Sequence, residues 1–117
     1  MNLKNRIDSF VHALHGLADL LRTQPNAQIH AAVTLCVIAA GWWFNLARWE
    51  WIAVVLCIAL VLSMEAMNTA LEYLADQVST ERHPLIGKAK DVAAAAVFIS
   101  ALGAVVVGLF IFIPKLL

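Results

Sequence analysis

The alternation of apolar and polar positions divides the chain into four helical segments, with no period-two run that would make a strand. In residues 3 to 22, Ile7, Val11, Leu14, Ala18 and Leu21 recur at helical spacing with Phe10 and Leu17 beside them, while Lys4, Arg6, Asp8, Asp19 and Arg22 take the remaining faces. That pattern predicts an amphipathic helix suited to a membrane surface or to a groove on the protein. Pro25 and Asn26, in TQPNAQ, interrupt it. Residues 29 to 46 read as a first membrane span, closed by an interfacial belt of Trp42, Trp43 and Phe44 that Trp49 and Trp51 repeat. The connection NLARWEW is short, so a second span from about residue 50 to Val78 should return antiparallel; it is apolar as far as Met64. STERHPLIGKAKD follows as a loop or helix start, with Pro84 as a break. Residues 92 to 113 carry no charge and, at ~1.5 Å per residue, are long enough for a third span.

Composition agrees with a membrane as solvent. The 117 residues are 62% hydrophobic and only 14% charged, with a mean hydropathy of +0.82. Soluble domains run about 45–50% apolar and about 25% charged, and a soluble core this small could not hide so much apolar surface. The expected architecture is therefore an all-α membrane protein, one domain over residues 1–117, with an N-terminal surface helix and three transmembrane helices. A formal net charge of zero and the lack of a long basic run argue against a nucleic-acid partner. Asp8, His12, His15 and Asp19 interrupt any signal-peptide core near the start. Cys36 and Cys57 lie in apolar segments and read as small buried hydrophobes. Lys4, Arg6 and Arg22 precede the first span, and Arg82, Lys88 and Lys90 lie between the second and third, which puts the N-terminus and the 79–91 loop in the cytoplasm.

One feature is out of keeping with an apolar span. LVLSMEAMNTALEYLADQV places Glu65, Asn68, Glu72 and Asp76 at the end of the second helix. At about 100° per residue, and with Glu65 at zero, Asn68 falls near −60°, Glu72 near −20° and Asp76 near +20°. They form one narrow stripe about three turns long. Asp76 alone is explained by a helix end leaving the membrane, but Glu65 follows directly on VVLCIALVLSM. Ionisable groups at such a depth usually face a bundle interior or a site. Carboxylates beside an amide could hold a hard divalent cation such as Mg²⁺, or one could act as a general base at the lipid level. The adjoining Arg82, His83, Lys88 and Lys90 supply the positive charge that phosphoryl transfer requires, although in a three-span protein they also fit plain positive-inside topology. A Walker A loop is absent from the sequence. On the third span, Ala96, Ser100, Ala104 and Gly108 form a ladder of small residues that permits close helix approach, and a thin bundle with a polar stripe invites oligomerisation.

MEAMNTALEYLAD followed by HPLIGKAKDVAAAAV resembles the prokaryotic diacylglycerol kinase family, which includes the undecaprenol kinases. The family pattern matches from Glu65 to Val97, with weaker similarity over nearly the whole chain, including Gly16–Leu17 and Asn26 to His30. The resemblance implies a homotrimer in a bacterial cytoplasmic membrane, with active sites shared between subunits and ATP with Mg²⁺ as phosphoryl donor. It implies that Glu65 is the general base that takes the proton of the lipid hydroxyl and that Glu72 binds Mg²⁺. Asn68 and Asp76 would organise the site, with Glu72, Asp76, Glu81, His83, Lys90 and Asp91 contacting nucleotide, and Glu65 and Arg6 contacting lipid. At a second metal-binding carboxylate position before the first span this sequence has Gln24, which can offer Mg²⁺ a carbonyl oxygen without charge; Gln28 stands where an arginine is common. RWEWI, RHPLIGKAKDVAAAAV and GLFIFIPK look closer to the undecaprenol kinase branch than to the diacylglycerol branch. The rival readings are a non-enzymatic channel or a scaffold. A channel would set ionisable groups at several depths on more than one span, whereas here they gather at one end beside a basic loop. A scaffold leaves Lys90 and Asp91 unexplained.

Overall fold

Four helices make up the chain: α1 (Leu3–Thr23), α2 (Pro25–Trp43), α3 (Arg48–Val78) and α4 (Pro84–Leu116). The computed structural model describes residues 2–81 and 83–117, so Arg82 of the basic loop lies outside the described residues. Among them there is no strand. α3 lies mainly on α4, α2 packs on α3, and α1 touches both α2 and α3.

Local chemistry fixes each boundary. Asn2 caps α1 by accepting from the Asn5 amide at 2.9 Å. The joint between α1 and α2 is a single residue. Gln24 precedes a proline and is therefore held extended, at φ −104° and ψ 110°, while its amide closes α1 on the Leu20 carbonyl at 3.1 Å. Pro25 then serves as the first residue of α2, where its missing N–H is not needed. From the next turn the Gln28 amide donates to the Leu21 and Arg22 carbonyls, both at 3.1 Å, and so satisfies the end of α1.

α2 ends earlier than the periodicity suggests. The expected span runs to residue 46, but the helix stops at Trp43 because Asn45 turns left-handed, at φ 52°. Asparagine is among the few residues that accept that conformation. The Leu46 amide then reaches the Gly41 carbonyl at 3.1 Å and the Asn45 amide reaches that of Trp42 at 3.3 Å, a Schellman closure. Gly41 is buried under Trp51: a Cβ there would come within 2.6 Å of the indole ring. Pro84 likewise begins α4 instead of breaking a helix, so Lys88, Lys90 and Asp91 are already helical.

α3 and α4, at 31 and 33 residues, are the two described helices long and apolar enough to cross a membrane. α2 has 19 residues and carries Asn26, Gln28 and His30 near its start; it falls short of that standard, so the expectation of three such helices is met by two. The apolar core is small, comprising Leu20, Ala27, Leu46, Val54, Val61 and Ile111. Large apolar side chains such as Trp42, Trp43, Leu56, Phe98, Ile99 and Phe110 point outward instead, as befits a chain whose solvent is not water. Cys36 is likewise exposed and Cys57 only half-buried, against the expectation that both are buried.

Candidate active site

Glu65, at the start of the α3 stripe, is the most deeply buried charged side chain among the described residues. Glu65 has 2% of its surface exposed and is the largest fully enclosed side chain, with Thr69 buried one turn later. Removing a carboxylate from water costs several kcal/mol unless something answers its charge. His30 of α2 stands beside it, with Nε2 3.2 Å from Glu65 Oε1. That approach lacks the alignment of a hydrogen bond, and both Glu65 Oε1 and the neighbouring Asn68 Oδ1 are buried without a hydrogen-bond partner. Two enclosed acceptors on one face call for a donor.

Further along α3 the stripe opens to solvent. Lys90, in the second turn of α4, places Nζ 2.6 Å from Asp76 Oδ1 and 3.9 Å from Glu72 Oε2. The angular alignment of Glu72 and Asp76 therefore becomes a real cluster, closed by a cation from the following helix. Glu81 and His83 lie in the exposed loop and approach each other at 3.9 Å. Asp91 is exposed on α4. Arg6 is exposed on α1, about 20 Å along the helix from Asp19 at 1.5 Å per residue, and is not drawn into this cluster.

Gln24 meets the site from the other side. Its Nε2 donates to the Tyr73 hydroxyl at 3.2 Å and to Thr23 Oγ1 at 3.0 Å, and Tyr73 in turn donates to Asp19 Oδ2 at 2.8 Å. This chain of hydrogen bonds ties the end of α1 to α3. Neither Asp19 nor Tyr73 stood out in the sequence, since each fits an ordinary helix surface. His30 was detectable in principle, as an ionisable residue beside an apolar run.

Two grooves flank the stripe. One, of about 470 Å³, separates α1 from α3 and is bounded by Leu17, Leu20, Leu62, Ala66 and Tyr73. The other, of about 530 Å³, runs between α2, α3 and α4; His30 lines it together with Val33, Val61, Ala104 and Phe112. Among the described residues no three His, Cys, Asp or Glu side chains converge on a metal position. Glu72 and Asp76 nonetheless fit Mg²⁺ as a pair of hard oxygen donors, because that ion is commonly held by one or two carboxylates together with substrate phosphates and water.

A family model described as prokaryotic diacylglycerol kinase matches residues 11–112, which include the whole stripe and Lys90. The chain belongs to the prokaryotic diacylglycerol kinase family. It is therefore an enzyme of the lipid kinase class. It is 42% identical over 108 residues to the undecaprenol kinase of Bacillus subtilis, covering 92% of this chain and 88% of that one. It is 37% identical over 114 residues to a diacylglycerol kinase of Synechocystis, covering 97% of this chain and 65% of the relative. A diacylglycerol kinase of Haemophilus influenzae is 30% identical over 98 residues, 84% of this chain and 83% of its own. The match gives the buried carboxylate of this lipid kinase a chemical context that burial alone does not.

Proposed function

We propose that the protein phosphorylates undecaprenol to undecaprenyl phosphate, using ATP, at a site centred on Glu65. The observation that carries this reading is the enclosed Glu65 carboxylate beside an apolar groove; similarity to the undecaprenol kinase of Bacillus subtilis favours the polyprenol. Glu65 takes the proton from the lipid hydroxyl as its oxygen bonds to the γ-phosphorus and the bond to the ADP oxygen breaks. Asn68 orients the hydroxyl or a phosphate oxygen. Lys90 leaves Asp76 to meet the phosphates, and Asp76, Glu81, His83 and Asp91 hold the nucleotide. Glu72 would hold Mg²⁺, with Gln24 as a neutral contact. When bound, Mg²⁺ would supply positive charge against the negative charge that develops in phosphoryl transfer. Arg6, on the surface helix, meets the lipid's headgroup region.

The reading extends to the assembly. α2 joins α3 and α4 as a third span, supported by its Trp42 and Trp43 belt. The N-terminus and the 79–91 loop face the cytoplasm of a bacterial inner membrane, on the side where ATP is. Three copies pack through the outward apolar faces, and sites form between neighbours. Diacylglycerol is the second reading, favoured by the other relatives; both lipids present a primary hydroxyl at the interface. Purified protein in nanodiscs, supplied with ATP, Mg²⁺ and one lipid at a time, separates the two. A kcat/KM for undecaprenol at least tenfold above that for diacylglycerol is expected, and the reverse order would assign the enzyme to diacylglycerol.

A further inference from the structure

His30 has no part in the transfer described so far, yet it occupies an unusual position. Among the described residues it is the one basic side chain within ion-pair distance of Glu65, at 3.2 Å from Nε2 to Oε1. It is also one-quarter exposed, and the exposed part lines the apolar groove between α2, α3 and α4. Glu65 is sealed from that groove's surface, at 2% exposure. The imidazole therefore stands at the boundary between the buried carboxylate and the space open to a lipid. An ionisable residue at that boundary, on a helix that is otherwise apolar beyond it, calls for a reason.

From this juxtaposition we infer that His30 is a positioning residue for Glu65. Its Nε2 holds Oε1, so that Oε2 is the oxygen left to receive the proton of a hydroxyl arriving from the groove. The inference rests on the lipid kinase reading and adds a residue to it. Once aligned, the 3.2 Å contact becomes a hydrogen bond, and a donor bonded to a carboxylate fixes its direction. In the transfer step the proton moves from the lipid oxygen to Glu65 and later to water. His30 acts only through Glu65. Holding a base within about 0.5 Å of its working geometry is what separates a competent site from a loose one.

Two substitutions separate this role from a structural one. Glutamine places its amide nitrogen where histidine has Nε2, and asparagine places it near Nδ1. The assay is lipid phosphorylation by the full-length protein in nanodiscs with ATP and Mg²⁺, alongside thermal stability of each variant. His30→Gln is expected to keep kcat within about threefold of wild type. His30→Asn is expected to lose about 10- to 100-fold in kcat, the range set by one hydrogen bond to a charged group, with KM for ATP unchanged. Equal loss in both variants would overturn the inference, because the ring would then be needed as a proton carrier. Full activity in His30→Asn would overturn it too. Wild-type protein inert toward both undecaprenol and diacylglycerol would instead refute the function on which the inference rests.

Discussion

At the residue scale, the protein concentrates unfavourable burial at one point and answers it incompletely. Glu65 is enclosed, its Oε1 has a near but misaligned histidine, and Asn68 Oδ1 has no partner. A purely structural carboxylate gains nothing from that arrangement, and a general base gains a dry, directed setting. Lys90 is a different case. Its 2.6 Å pair with Asp76 is partly exposed, so screening by water makes it a weak brace but an available cation for phosphate. Lys90→Met should raise KM for ATP about tenfold or more, the scale of one charge-assisted contact, with the overall fold retained; steady-state kinetics against ATP checks this. Gln24→Glu should lower the Mg²⁺ concentration needed for half-maximal activity. The new carboxylate would join Asp19 around the Tyr73 hydroxyl, and a cation would relieve that crowding. An unchanged Mg²⁺ titration would remove Gln24 from the metal's surroundings.

At the element scale, the number of helices and the α3 stripe could be read from periodicity, because both are local properties of spacing. The ends could not. Pro25 and Pro84 interrupt the apolar pattern, yet each starts a helix, since a proline's missing N–H is harmless only in the first turn. The end of α2 depends on Asn45 adopting a left-handed turn, which no run of apolar residues announces. Contacts that cross between helices were equally hidden. Lys115 near the end of α4 pairs at 3.1 Å with the buried Glu50 near the start of α3, 65 positions away, while Glu50 also accepts the Ala47 amide at 2.8 Å. Spacing within either helix gives no hint of that bond. The small-residue ladder of α4 allows close approach, but within the chain Ser100 is buried while Ala104 and Gly108 border the open groove beside α2 and α3, and a Cβ at Gly108 would meet nothing within 4 Å. Gly41 offers the clearest test of packing. Gly41→Ala drives a methyl into the Trp51 ring and should destabilise the α2–α3 turn by about 1–3 kcal/mol, read as a lowered unfolding midpoint in detergent.

At the scale of the whole molecule, a single chain is partly inside out by soluble standards, with Glu50, Glu65, Thr69 and Ser100 enclosed and many tryptophan, leucine and phenylalanine side chains outside. Lipid can cover part of that surface, and neighbouring copies the rest. If the proposed homotrimer is right, native mass spectrometry from detergent finds three 12.8 kDa chains in each particle, and a monomer that remains fully active would refute sites shared between subunits. The central claim is narrower: Glu65 removes the proton from a lipid hydroxyl. Transfer of the labelled γ-phosphate of ATP to undecaprenol, followed in nanodiscs for wild type and Glu65→Gln side by side, tests it most directly. The account predicts labelled undecaprenyl phosphate from the wild type and at least a hundredfold less from Glu65→Gln, with ATP binding unaltered. Comparable transfer by the two proteins would contradict it.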